Sequence, residues 1–268
     1  MPMTEESEEF LSMQKLYHFT RFNTALKILC SGKLIFGKLR NMNDPCESLK
    51  NIYNSLFGEN KELIPRIERE IYHYEQISLC HDDKNRLGFD LHSMWANYAD
   101  KGYGVCFVFE KNSMCTYLES DNLYVADEVN YNDVFSQDTN TDIRDMHEIK
   151  TWINKHVKDL FFTKRSEWQH EQEFRIIRRF TNNHKAHFLN IAPCLKYVIM
   201  FNSKTISHEA NITTSFEYDL MKQFINPEVK ILTYESFLGD YLLVSDERRT
   251  IWQKSGIIDN PTRLLAID

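Results

Sequence analysis

The sequence predicts an α+β fold: a single domain on a mixed, mostly antiparallel sheet, with helices inserted between the strands. Three observations predict it. Short runs rich in β-branched and aromatic residues, such as Val105-Cys106-Phe107-Val108-Phe109, are bounded by glycine or polar residues. Amphipathic helical stretches separate these runs, without the regular strand–helix alternation of a parallel sheet. No internal repeat, low-complexity tract or linker divides the 268 residues, a length that suits one large domain or two small ones.

The elements follow in chain order. Residues 1–13 are acidic and are predicted to form a flexible lead-in, with the α+β domain occupying 14–268. Residues 16–20 read as a strand. A helix over 24–31 follows, capped by Asn23, with Leu26 and Leu29 inward and Gly32 past its end. Residues 33–36 read as a second strand. Residues 41–45 form a turn, because the residue before Pro45 avoids the helical region. Over 46–75 the stripe Leu63, Ile67, Ile71 and Tyr74 predicts a helix. A buried strand at 77–80, a helix at 91–99 and a strand at 105–109 come next. Residues 135–142 are loop-like. Met146, Ile149, Ile153, Val157 and Leu160 share one face of a helix over 143–161. Strands are predicted at 171–179, 197–201 and 229–234, and a helix at 215–224.

Composition excludes several classes. Lysine and arginine total 32 against 39 acidic residues, a formal net charge of −7. That balance disfavours non-specific phosphate binding, although a local basic patch remains compatible with it. No apolar run of about 18 residues occurs, so no membrane-spanning helix is predicted. The first nine residues carry four glutamates where an export signal is basic and then apolar. Six cysteines stand at 30, 46, 80, 106, 115 and 194, no two of them spaced C-x-x-C. A cytoplasmic protein with reduced thiols and no metal site is expected. P-loop, dinucleotide-fingerprint and G-x-S-x-G motifs are lacking.

Four segments could carry chemistry. In Trp168-Gln169-His170-Glu171-Gln172-Glu173-Phe174-Arg175-Ile176, a continuous strand would put Glu171, Glu173 and Arg175 on one face and Trp168, Phe174 and Ile176 on the other. Arg175 would favour the ionised form of Glu173, and Glu171 would oppose it. The alternative is an exposed edge strand with a screened ion pair. His18-Phe19-Thr20 ends a strand just before a helix, a corner able to hold a ribose hydroxyl or phosphate, or merely a surface histidine beside a helix entry. Trp95 and Tyr98 are neighbours on a helix face, either a stacking wall for a planar ring or core packing. Asn43-Asp44-Pro45 is a candidate binding loop or an Asx-type turn.

Taken together, these segments resemble a widespread bacterial family of unknown function. Its members open with a tyrosine-rich strand, continue with an IL-x-x-G-x-L helix exit and then show FNDP. Here these are Leu16-Tyr17-His18-Phe19-Thr20, Ile28 to Leu34, and Asn43-Asp44-Pro45 with Met42 in place of the usual Phe. Ile77-Ser78-Leu79-Cys80 is similar to the family's cFS strand. Met94-Trp95-Ala96-Asn97-Tyr98-Ala99 with Gly104-Val105-Cys106 is similar to its MW-x-x-YA…G-x-C segment. Lys164 with Trp168, Glu171, Glu173 and Arg175 matches its K…W-x-x-E-x-E-x-R signature. The matches span about 16–205, in the family's order.

A second resemblance supplies an activity. A strand ending His-x-Thr, then a helix and a glycine, is similar to the first motif of ADP-ribosyltransferases, where the histidine and hydroxyl hold a ribose of NAD. The resemblance implies an ADP-ribosyltransferase-like core with NAD as substrate and no metal. It gives His18 and Thr20 to ribose binding, Trp95 or Tyr98 to nicotinamide stacking, and Glu171 or Glu173 to the second ribose. Arg175 joins the catalytic set, and Asn43, Asp44 and Trp168 join the substrate-binding set. The usual second-strand tyrosine or serine motif is not evident after residues 33–36. Such an enzyme breaks the nicotinamide–ribose bond and passes ADP-ribose to nucleic acid, protein or water, in the manner of a toxin or phage-defence effector. Two other classes remain open: a non-catalytic module sensing a nucleotide or partner, and a nucleic-acid protein using Lys164, Arg165, Arg175, Arg178 and Arg179.

Overall fold

The computed structural model describes residues 4–39, 63–133, 145–180, 185–203, 217–237, 240–245 and 250–254. Numbered along the chain, the strands begin with β1 (Lys15–Thr20), β2 (Lys33–Ile35), β3 (Gly37–Lys38), β4 (Tyr74–His81), β5 (Val105–Glu110), β6 (Tyr124–Glu128) and β7 (Asn130–Tyr131). They continue as β8 (Thr163–Lys164), β9 (Glu173–Arg179), β10 (Phe188–Asn190), β11 (Leu195–Ser203), β12 (Lys230–Phe237), β13 (Asp240–Ser245) and β14 (Thr250–Lys254). Helices cover Glu5–Ser12, Phe22–Ser31, Ile64–Ile71, His92–Asn97, Lys111–Glu119, Met146–Lys155 and Val157–Phe161. The fold is α+β and its strand pairing is mostly antiparallel, with parallel pairs at β11–β12 and β7–β8. Two compact units form, one from Met1–Ser31, His92–Lys111 and Cys194–Asp268, the other from Gly32–Leu91 and Asn112–Pro193.

In the first unit the strands run β14-β13-β12-β11-β5-β1. β5 lies inside because Val105 to Phe109 are all buried, as an apolar run covered on both faces must be. Residues 5–12 correct the lead-in reading, for they are helical. Thr4 caps the helix by accepting from the Ser7 N–H at 3.2 Å. Glu5, Glu6 and Glu8 fall in its first turn, where the helix dipole favours negative charge. Phe10 is fully buried, edge-on to Tyr197 at 5.2 Å. Buried Lys15 donates from Nζ to the carbonyls of Phe10 (3.0 Å) and Met13 (2.6 Å), closing the far end. The next helix starts at Phe22, so Asn23 lies in its first turn and is not its cap. Gly32 stands past that helix with φ 66, the left-handed closure that glycine permits.

In the second unit β4, β9 and β6 pair in that order, and β3 adds to the other edge of β4. β2 and β10 form a separate ribbon. One core cluster joins Ile67 and Ile71 to Ile149, Trp152, Ile153, Leu160 and Phe161. Most of both helical stripes read from the sequence buries here, but Met146 is exposed and Val157 only partly buried, and two further differences follow. Tyr74 opens β4 instead of extending a helix, and the helix over 143–161 breaks at His156. The expected strand over 171–179 starts at Glu173, because Ser166–Glu171 is a 3-10 turn.

Candidate functional site

Four charged side chains meet inside the second unit. β8 pairs in parallel with β7 and brings in Lys164. The chain then makes its 3-10 turn to Glu171, passes through Gln172 in the left-handed region (φ 48, ψ 53), and enters β9 at Glu173. That left-handed residue breaks the two-residue alternation a continuous strand would impose. Glu171 and Glu173 consequently converge on one ammonium: Lys164 Nζ donates to Glu171 Oε2 at 2.6 Å and to Glu173 Oε2 at 3.3 Å. Arg175, two positions along the strand, donates to both Glu173 oxygens at 2.8 and 2.7 Å and to the Phe161 carbonyl at 2.6 Å. Lys164, Glu171, Glu173 and Arg175 are only 5, 5, 4 and 2% exposed. The reading as a solvent-screened pair on an exposed edge strand is thus corrected, and β9 is flanked by β4 and β6.

The surroundings fix the protonation states. Burial opposes ionisation of Glu173, but Arg175 beside it, Lys164 and a hydrogen bond from Ser78 outweigh burial and hold the carboxyl well below its ordinary 4.5. Cys80, opposite Glu173 in the register, has its thiol pushed up by burial and then by the negative charge of Glu173 and Glu171, against the pull of Lys164. Burial also raises the Tyr131 hydroxyl, which accepts the Glu173 N–H at 2.8 Å. Trp168 is half-buried and its ring carries Lys164 Nζ 4.6 Å from its centroid, a cation–π contact. Two cations and two anions leave the cluster with no net formal charge.

Of the sequence-predicted residues, Glu171, Glu173, Arg175 and Trp168 come together here. His18, Thr20, Trp95 and Tyr98 belong to the first unit. Trp95 is 3% exposed and lies against Phe19 (5.1 Å, edge-on), Phe201 (5.6 Å) and Tyr234 (6.2 Å). It is core packing, on the face of β1 that Phe19 occupies. His18 and Thr20, at alternate positions, project to the opposite face, so Trp95 does not form a wall beside them. Tyr98 is half-buried on the helix end. Two recognised segments do meet: a Cβ on Gly104 would stand 2.2 Å from the Thr20 carbonyl oxygen and 2.8 Å from Ala99 Cα. Asn43 and Asp44 lie outside the described residues.

Four of the five basic residues that motivated a nucleic-acid reading are engaged with partners of the same unit, while the Arg165 side chain is 41% exposed, 3.6 Å from the exposed Glu167. Lys164 and Arg175 are buried in the cluster. Arg178 donates to the Tyr124 hydroxyl at 2.6 Å, and Arg179 Nε donates to Glu70 at 2.7 Å. Sequence reasoning left Lys164 out of the catalytic set, although its place in the K…W-x-x-E signature was a signal. Tyr131, Ser78 and Gln172 gave none. Among the described residues no group of three or more His, Cys, Asp or Glu is placed to hold a metal ion, and no helix is long and apolar enough to cross a membrane.

The fold and this cluster define an α+β protein organised around a Trp-x-x-Glu-x-Glu-x-Arg segment. Residues 94–176 match the model of a family described as "Protein of unknown function (DUF2971)". The matched stretch contains both the Met94-Trp95…Gly104-x-Cys106 segment and the Trp168–Arg175 segment, so the family resemblance read from those motifs is shown there. No curated protein and no solved structure matches the chain.

Proposed function

We propose that this protein is an ADP-ribosyltransferase-like enzyme that cleaves the nicotinamide–ribose bond of NAD, with Glu173 as the carboxylate that steadies the reacting sugar. One observation carries the reading: Glu173 is a buried carboxylate, held ionised and fixed in orientation by Arg175 at the head of β9. In the reaction the C–N bond electrons leave with nicotinamide, and positive charge develops on the ribose, as in glycoside cleavage. An acceptor oxygen or nitrogen on a macromolecule, or water, then bonds to that carbon and gives up its proton. A preoriented anion lowers the barrier because it attracts the sugar more strongly in the transition state than before it. Glu171 would adjust that field through the shared Lys164. Depleting NAD or modifying a macromolecule in this way suits a toxin or phage-defence effector.

The test is Glu173→Gln, followed by nicotinamide release and ADP-ribose transfer to protein, DNA and RNA. The amide keeps the shape and removes the charge, so turnover should fall about a hundred- to a thousandfold. Full activity in the variant removes Glu173 from the chemistry, and inert wild-type protein removes the class.

A second reading is favoured by the burial of Glu173 and by the engagement of both its oxygens with Arg175. In it the cluster is a structural core of a module that binds a nucleotide or partner without chemistry. NAD raising the melting temperature while no nicotinamide appears would select this reading.

A further inference from the structure

Gln172 is the residue between the two glutamates, and neither the family match nor the resemblance assigns it a role. Its backbone is left-handed, an uncommon conformation for a residue with a side chain. The position is nevertheless held from several sides. The His81 N–H donates to the Gln172 carbonyl at 2.9 Å, and the Gln172 N–H donates to the Gln169 carbonyl at 3.2 Å. The side-chain amide Nε2 donates to Asp83 Oδ2. Asp83 is itself fixed, its other oxygen accepting the Asn85 N–H at 2.7 Å and its own N–H donating to the Arg86 carbonyl at 2.9 Å. A flipped amide would set oxygen against carboxylate, so the orientation of the group is determined. Gln172 Oε1 is then left buried with no hydrogen-bond partner among the described residues, in a side chain only 8% exposed. A buried acceptor without a donor is destabilising, and native proteins retain such groups where something else satisfies them.

The geometry points to Gln172 Oε1 as a ligand-reading acceptor: it takes a hydrogen bond from an uncharged N–H or O–H donor of the molecule bound beside Glu173. The inference rests on the NAD reading above and deepens it, since that molecule is then NAD. Two groups of NAD near the scissile bond supply such a donor, the carboxamide N–H and the ribose hydroxyls.

The experiment measures nicotinamide release and NAD-induced thermal stabilisation in wild type, Gln172→Met and Gln172→Gly. Methionine removes the acceptor at similar volume, and glycine accepts the left-handed backbone without strain, so that at least one variant keeps the fold. Both variants should melt cooperatively and show KM for NAD raised about tenfold or more, because a site built around a hydrogen bond penalises its loss heavily. Nicotinic acid adenine dinucleotide, which lacks the amide N–H, separates the two donors. If the carboxamide is read, wild type prefers NAD and the variants lose that preference. If a ribose hydroxyl is read, both dinucleotides weaken alike. Folded variants with wild-type KM overturn the role of Gln172 while leaving NAD chemistry standing. Wild-type protein that neither turns over NAD nor is stabilised by it overturns both.

Discussion

Arg175 grips Glu173 with two hydrogen bonds, Nε to Oε1 at 2.8 Å and Nη2 to Oε2 at 2.7 Å, from two positions further along the same strand. A lysine has no planar fork and cannot also reach the Phe161 carbonyl in the same way. Arg175→Met leaves Glu173 short of its main counter-charge and should cost about 3–5 kcal/mol, read from urea denaturation. Arg175→Lys should fall between that variant and wild type. A loss within experimental error for Arg175→Met would mean the pair is not buried as described.

Lys164 is shared between Glu171 and Glu173, and this makes a non-additive prediction. Lys164→Met alone removes the cation that Glu171 and Glu173 share, leaving Arg175 to face both carboxylates. Adding Glu171→Gln removes one of those anions. The double variant should therefore be more stable than Lys164→Met alone, a coupling of about 0.5–3 kcal/mol in a double-mutant cycle. Strict additivity of the two changes would contradict the shared contact.

The same cluster sets an acid response. The folded-state value of Glu173 lies below its ordinary 4.5, which stands for the unfolded chain. Its ionised form therefore contributes stability fully above that ordinary value, and the contribution is lost as pH falls through 4.5 towards the depressed folded value. Unfolding free energy followed from about pH 6 to pH 3 should decline more steeply in wild type than in Glu173→Gln. Parallel slopes would show that folding does not shift the Glu173 carboxyl from its ordinary value.

Much of this architecture was legible in the residues, and the failures have physical causes. β5 was readable because Val105 to Phe109 form an unbroken apolar run, and the stripe Ile149, Ile153 and Leu160 because its period matches a helix. The helix Lys111–Glu119 was not readable, since only Met114 and Leu118 along it are buried, too few to mark an apolar stripe. Residues 5–12 looked solvated because their acids face water, while the single ring of Phe10 anchors them. The partners Glu171, Glu173 and Arg175 were read correctly as a set, but their burial was not, because the Trp168–Arg175 stretch alone does not reveal Lys164 folding back over it. The strand stops short of Glu171 at the left-handed Gln172, and a glutamine in that conformation carries no sequence signal.

Sterics alone account for the glycine of the Met94-Trp95…Gly104-x-Cys106 segment. A methyl group there would collide with backbone atoms of Thr20 and Ala99, neither of which is a flexible tip. Gly104→Ala should destabilise the protein by about 1–3 kcal/mol or more, seen as a lowered melting temperature. A neutral substitution would mean that the Thr20 carbonyl and Ala99 lie further from Gly104 than described above.

Thiol chemistry offers an independent check on burial. Cys30 is exposed, whereas Cys80, Cys106 and Cys194 are buried, and Cys80 has its thiol pushed up by burial and by its acidic neighbours. Iodoacetamide at about pH 8 should alkylate Cys30 in the native protein and spare Cys80 until denaturant is added. Early modification of Cys80, located by peptide mass spectrometry, would contradict the enclosed cluster.

The division of the chain has a consequence for biosynthesis. The first unit is assembled from three separated segments, the last of them beginning at Cys194, while the second draws only on residues 32–91 and 112–193. β5 must wait for β11 before its second edge is paired. On a ribosome, where earlier residues emerge first, the unit holding Glu173 and Arg175 has all of its chain available while the other still lacks its late strands. Its buried ions can be neutralised by one another before the nascent polypeptide is released.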